Sequence, residues 1–299
     1  MDYKKTLILR YDINKEIYFF WYTKFKNIEQ VTKNIVIKKK FIWYLLIATY
    51  KFQLPLLWFF LWKWKNKLRQ YENVIIFDSW FHDLLAKYIK KKNKDIKIIL
   101  WYRNPINYYT KRFLKNKYVD QIYTYNEDDV MKFITERNLK YIPQFYTKNI
   151  KLSQSKINKD IFFLGRAKSR WKDLIALETK FEGSKLITDF KIIEKESDFI
   201  DYDTYLELLS KSKSLLDFNY PIISGLSLRI MEGVFLKKKV ITNNYNIIKY
   251  DFYNKDNFFI LWKDDIKNIK YFINSPYQII NQKIINKYDF DSWITKICS

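Results

Sequence analysis

The sequence predicts an α/β protein built as two doubly wound, parallel-sheet domains. Short apolar runs alternate with helical patterns between Asn73 and Glu136. The same alternation restarts at Asp160. A polar stretch without periodicity, Thr147 to Lys159, lies between them and reads as a linker. The expected domains are 1–150 and 151–285, with 286–299 as a closing helix.

Taken in order, Thr6 to Arg10 is a strand, and the loop after it carries Asp12. Loops that follow parallel strands edge the ligand crevice, so Asp12 is a candidate catalytic residue; the alternative is a cap or turn residue. Residues 41–68 form the most apolar tract, broken by Lys51, Gln53 and Pro55, which makes it a poor membrane span. Its second part mixes Leu, Trp and Phe with Lys63, Lys65 and Lys67. That composition suits either a segment lying on an anionic membrane surface or a core helix with a solvated basic end.

Asn73 to Phe77 is a buried strand, and Asp78-Ser79 opens a helix from Trp80 to Lys91. His82 lies in the first turn of that helix, placed for a general base or a sugar-hydroxyl contact if it is not structural. Ile96 to Trp101 and Val119 to Tyr125 are the next strands. Glu127, Asp128 and Asp129 then suit the start of a helix over Val130 to Glu136, and Glu127 is a third candidate base.

In the second half, the strand Asp160 to Leu164 runs directly into Gly165-Arg166-Ala167-Lys168-Ser169-Arg170. Gly165 permits a tight turn or the close approach of a ligand. Three cations at a strand end suit phosphate; the competing reading is a solvated basic loop. Helices are expected at Leu174 to Phe181, Asp203 to Ser210, Ile266 to Ile273 and Ser292 to Ile297. Strands are expected at Leu186 to Phe190, Lys191 to Ile193, Ser214 to Phe218, Val240 to Thr242 and Phe258 to Leu261.

The helical pattern from Ser224 to Leu236 is apolar nearly all round apart from Arg229 and Glu232, which share one stripe. A buried charge requires a partner or a ligand. Either the two form an internal ion pair, or they face an anionic, hydroxyl-rich ligand near the helix N-terminus.

Composition narrows the classes. The chain has 299 residues and a net charge of +23, with 25 Tyr, 24 Phe and 10 Trp but four Gly and five Pro. Sparse Gly and Pro argue against a disordered or fibrous chain. The single cysteine, Cys298, excludes an internal disulfide framework, and the single histidine excludes His-pair metal motifs. A reducing compartment fits, and no signal peptide is expected from the opening Met1-Asp2-Tyr3-Lys4-Lys5. The charge suits an anionic partner, although the excess of Lys, Ile, Asn and Tyr is also what an AT-rich coding sequence yields.

Four blocks carry a resemblance: Phe163 to Arg170 (FLGRAKSR), Ser224 to Asn244 (SGLSLRIMEGVFLKKKVITNN), Tyr250 to Asn254 (YDFYN) and Lys287 to Trp293 (KYDFDSW). In order and spacing they are similar to the C-terminal half of GT-B-type glycosyltransferases of bacterial capsule, exopolysaccharide and lipopolysaccharide synthesis. The resemblance covers 160–297; the N-terminal half shares only the strand–helix rhythm. It implies a GT-B-like architecture, two Rossmann-like domains facing each other across a cleft. It implies transfer of a sugar from a nucleotide-sugar donor, a UDP-sugar foremost, to a glycan or lipid-linked glycan acceptor. It places the protein in the cytoplasm, peripheral on the inner face of the cell membrane.

The donor-binding residues implied are Gly165, Arg166, Lys168, Gly225, Leu226, Arg229 and Glu232, with Arg166, Lys168 and Arg229 neutralising the diphosphate and Glu232 on the ribose hydroxyls. No metal or other cofactor is implied. Many retaining members carry a second glutamate eight residues before the one matched by Glu232; here Ser224 stands there, so retention and inversion both stay open. An inverting enzyme requires a base, for which Asp12, His82 and Glu127 are the candidates. Two competing classes are a basic, aromatic-rich nucleic-acid-binding protein and an inactive transferase-fold assembly partner. Dispersed lysines and the lack of a nucleic-acid motif weigh against the first.

Overall fold

The computed structural model describes residues 5–10, 22–30, 41, 44, 45, 48, 63–78, 83–136, 139–166, 168–219 and 224–299. The described chain divides into two compact units. One comprises residues of 5–10, 24–143 and 294–299; the other comprises 22–23 and 144–293.

The first unit is a six-stranded sheet built from β1 (Thr6–Arg10), β2 (Ile28–Gln30), β3 (Asn73–Phe77), β4 (Lys97–Tyr102), β5 (Gln121–Thr124) and β6 (Leu139–Tyr141). The order is β2-β1-β3-β4-β5-β6, and every pairing is parallel. Ile75 and Ile99 on one face and Val74, Ile76, Ile98 and Leu100 on the other are all fully buried. Burial on both faces is why these strands are continuous apolar runs rather than alternating ones. Helix α1 (Asp83–Lys92) packs Leu85, Ala86 and Ile89 into this core, and α2 (Glu127–Lys132) follows β5. The expected helix start at 79–82 lies outside the described residues.

Of the apolar tract, 63–68 is largely described. Trp64 is fully buried and Leu68 nearly so, while Lys63 and Lys67 are exposed. This end of the tract is therefore core with an exposed basic rim, while Phe41, Tyr44 and Leu45 at its other end are exposed; 42–43, 46–47 and 49–62 lie outside the described residues. Among the described residues, no helix is long and apolar enough to cross a membrane.

The second unit has five strands: β7 (Lys159–Arg166), β8 (Thr188–Ile193), β9 (Ser212–Asp217), β10 (Lys239–Thr242) and β11 (Phe258–Ile260). The order β11-β10-β9-β7-β8 is again wholly parallel. Its helices are α3 (Trp171–Gly183), α4 (Tyr202–Ser210), α5 (Leu228–Leu236), α6 (Ile269–Asn274), α7 (Gln282–Lys287) and α8 (Phe290–Cys298), of which 294–298 belong with the first unit. The two strands expected at 186–193 are one, β8. Strands β2 and β6 and helix α7 have no counterpart in the sequence expectations; each is short and weakly apolar.

In both sheets the strand order reverses once, between β1 and β3 in the first unit and between β7 and β9 in the second. At such a reversal successive connections leave in opposite directions and open a crevice at the carboxyl ends of the strands.

Candidate functional site: an arginine pair at the β7–β9 switch

The site is built at the carboxyl ends of β7 and β9. Ser227 caps α5, its Oγ accepting from the Ile230 N–H at 3.1 Å. The same hydroxyl donates to Asp217 Oδ1 at 2.7 Å, at the end of β9. Asp217 is fully buried and also accepts from Thr242 Oγ1 at 3.0 Å and from Asn219 Nδ2 at 3.0 and 3.2 Å. A carboxylate at this position complements the positive end of the helix dipole. Helix α5 thus begins at Leu228, later than the Ser224 start its apolar pattern suggests, because the cap is Ser227.

Arg229 leaves the first turn of α5 and crosses to β7. Its Nη2 donates to the Leu164 carbonyl at 2.6 Å, and Nη1 stands 4.0 Å from Asp217 Oδ1. Arg170, the N-cap residue of α3, points to the same place. It donates through Nη1 to the Phe218 carbonyl, and through Nε and Nη2 to the Arg166 carbonyl, both at 3.2 Å. Both guanidiniums lie on the Phe163 ring, at 5.1 Å for Arg229 and 5.5 Å for Arg170. A Cβ on Gly165 would come within 2.5 Å of Arg229 Nη2 and 3.1 Å of Arg170 Nη2, so the glycine makes room for the pair.

Burial pushes the Arg170 guanidinium down to about 10, and the neighbouring Arg229 pushes in the same direction. Two cations face one carboxylate, Asp217, in a largely buried setting. Such an arrangement favours an additional anion.

The other expected donor residues fall as follows. Arg166 is exposed, its guanidinium 4.6 Å from the Phe199 ring centroid. Lys168 begins the short 3-10 turn Lys168–Arg170. Gly225 is buried, and its carbonyl accepts from Asn244 Nδ2 at 3.0 Å. Leu226 is fully buried.

Glu232 sits one turn beyond Arg229, only 2% exposed. Its Oε1 accepts from Tyr202 Oη at 2.8 Å, and Oε2 accepts from Tyr205 Oη. Tyr146 Oη lies 2.6 Å from Tyr202 Oη and extends the network. Burial raises the carboxyl to about 7, against the tyrosine hydrogen bonds that lower it. Burial foremost, and then Glu232, raise both partner tyrosines well above their usual value, so they remain donors. The stripe of Arg229 and Glu232 therefore forms neither an internal Arg–Glu pair nor a shared open face: each residue has its own partners.

Of the candidate bases, Glu127 opens α2 after β5, two strands from the β1–β3 reversal, or ~10 Å. Asp12 and His82 follow β1 and β3 in the sequence and lie outside the described residues. Sequence reasoning placed Arg170 in a basic loop but not in the binding set. It missed Asp217 and Ser227, for which a strand-end Asp ten residues before a helix-capping Ser was the available signal.

No protein-family model and no curated protein matches the chain. Among solved structures it is similar to a chain of the Glycosylation Associate Protein (Gap123) complex from Streptococcus agalactiae, with 14% identity and a TM-score of 0.38, over 75% of this chain and 51% of that one. The chain thus spans about half the length of that neighbour. It is also similar to the DNA-modifying enzyme β-glucosyltransferase, solved in the presence and absence of uridine diphosphoglucose, with 11% identity and a TM-score of 0.44, over 98% of this chain and 90% of that one. Both TM-scores are low, and neither likeness assigns an activity to this chain.

Proposed function

We propose that the protein is a GT-B-like glycosyltransferase whose second unit binds a nucleotide-sugar donor by its diphosphate at the β7–β9 switch. One observation carries the reading: Arg170 and Arg229 converge beside Gly165, opposite a single carboxylate, where a parallel sheet opens its crevice. The four sequence blocks that resemble such transferases include the end of β7 and the helix α5 that carries Arg229; the end of β9 lies outside them.

The chemistry follows from that charge. Transfer breaks the bond between the anomeric carbon and the diphosphate, and forms a bond from that carbon to an acceptor hydroxyl. Negative charge develops on the leaving nucleoside diphosphate, and preorganised guanidiniums stabilise it. The acceptor proton goes to a base in an inverting reaction. Asp12 and His82, which follow β1 and β3 in the sequence, and Glu127 are the candidates for that base. Glu232 would meet a ribose only by exchanging a tyrosine hydroxyl for a sugar hydroxyl, so donor affinity is assigned first to the arginines.

In its finer form the proposal takes a UDP-sugar as donor and a lipid-linked or growing surface glycan as acceptor, at the inner membrane face. A nucleotide-sugar panel with free nucleotide as readout tests it. The expected result is turnover with one or two donors, lost in Arg229→Met. No nucleotide release from any donor with glycan or lipid-linked acceptors would contradict it.

A further inference from the structure

Trp262 is the most unusual residue on the carboxyl edge of the second sheet. It has φ 63°, in the left-handed region that a bulky side chain avoids, and the residue is 62% exposed. The turn that holds it is closed on both sides. Lys263 N–H and Asp264 N–H donate to the Ile260 carbonyl at 3.2 and 2.9 Å, and Asp264 Oδ2 accepts from the Ile260 N–H at 2.7 Å. Core packing does not account for the arrangement. A strained backbone here presents a large apolar ring to water, two unfavourable features on one residue.

The position of the ring is informative. Asp217, Thr242 and Ile260 are aligned partners across β9, β10 and β11, so the turn after Ile260 stands beside the end of β9 on the same edge. Two strand spacings, ~10 Å, separate β11 from β9. The indole leans back towards β9, where its centroid lies 5.8 Å from Phe218 at 65°. That edge contact covers at most one face of the indole. Phe218 is the residue whose carbonyl Arg170 holds.

A cavity of about 360 Å³ opens beside Trp262, lined also by Leu177, Lys180, Leu261, Asp264 and Ile266. Leu177 stands two turns along α3 from Arg170, ~10 Å. Phe218 stands between the indole and Arg170, so a planar ring on Trp262 would lie two strand spacings, ~10 Å, from an anion at the arginine pair.

We propose that Trp262 is the stacking platform for the heterocyclic base of a nucleoside diphosphate whose phosphates lie at Arg170 and Arg229. The inference rests on the anion site of the proposed function and adds to it the base subsite and the residue that makes it. Stacking on an aromatic side chain tolerates either a pyrimidine or a purine, and choice between them falls to the polar rim of the cavity, Lys180 and Asp264.

The test compares pyrophosphate, UDP and GDP by isothermal titration of the full chain. Pyrophosphate reports the arginine site alone. The native protein is expected to bind at least one nucleotide about 5- to 150-fold more tightly than pyrophosphate, the range that base stacking supplies. Trp262→Ala should bring that nucleotide down to the pyrophosphate level and leave pyrophosphate affinity unchanged, while Trp262→Phe should keep most of the increment. Trp262→Gly should lose the increment while raising the Tm of the free protein, because glycine accepts the left-handed backbone.

Equal affinities for pyrophosphate and both nucleotides would overturn the base subsite, as would an unchanged nucleotide-to-pyrophosphate ratio in Trp262→Ala. In either case the anion site would stand. If neither pyrophosphate nor a nucleotide binds, the anion site itself is refuted and the base subsite with it.

Discussion

The carboxyl of Glu232 predicts a stability that falls with pH. In the folded protein burial raises it from the 4.5 usual for glutamate to about 7. A raised carboxyl binds its proton more tightly folded than unfolded. Its stabilising contribution is therefore full below pH 4.5 and is lost as pH climbs through 7. The shift corresponds to ~3 kcal/mol for a group this deeply buried. Glu232→Gln mimics the protonated form: its carbonyl oxygen accepts from one tyrosine, and its amide donates to the hydroxyl oxygen of the other.

The assay is urea unfolding of both chains at pH 5 and pH 8. Every other titrating group is common to the two proteins and cancels in the comparison. Relative to native, Glu232→Gln should gain ~2.5 kcal/mol on going from pH 5 to pH 8, since part of the contribution is already lost at pH 5. Parallel stability profiles for the two chains would refute the buried, tyrosine-held carboxyl.

Gly233→Ala should destabilise by ~2–3 kcal/mol, although alanine is ordinarily the better helix residue, because its Cβ would run into Val240 Cγ2 and stand 3.1 Å from the Lys238 carbonyl; urea unfolding gives the sign. Lys237 ends α5 at φ 56°, so Lys237→Gly should stabilise by ~1 kcal/mol, read as a rise in Tm. Asp217→Asn keeps the shape but removes the carboxylate that accepts from Ser227, Thr242 and Asn219 beside Arg229. It should cost ~3 kcal/mol in chemical unfolding, and more than a Thr242→Val change at the same network.

The parallel sheets were legible because their strands are buried on both faces. Runs such as Val74 to Phe77 and Ile98 to Trp101 are apolar without interruption, and Gly165 marks where a strand must give way to something close. Strand β2, three residues long and containing Glu29 and Gln30, holds its place through pairing with β1 and leaves no pattern of its own. The site was half legible for a related reason. The charges of Arg229 and Glu232 stood out against an apolar helix, but their partners are remote in the chain. Leu164 lies 65 positions from Arg229, and Tyr202 and Tyr205 lie 30 and 27 positions from Glu232. No local spacing reports contacts of that range. Trp262 was invisible for a different reason: its signal is a backbone angle, and a lone tryptophan after a short strand reads as ordinary surface.

The central claim is that the arginine pair at the β7–β9 switch binds the diphosphate of a nucleotide donor. Isothermal titration with UDP and GDP at low and moderate salt, in the native chain and in Arg229→Met, tests it most directly. The account predicts saturable, salt-sensitive binding of at least one of the two, weakened about 10-fold or more by the substitution, as expected for loss of a charge-assisted contact. Binding of neither nucleotide, or equal affinity in Arg229→Met, would contradict it.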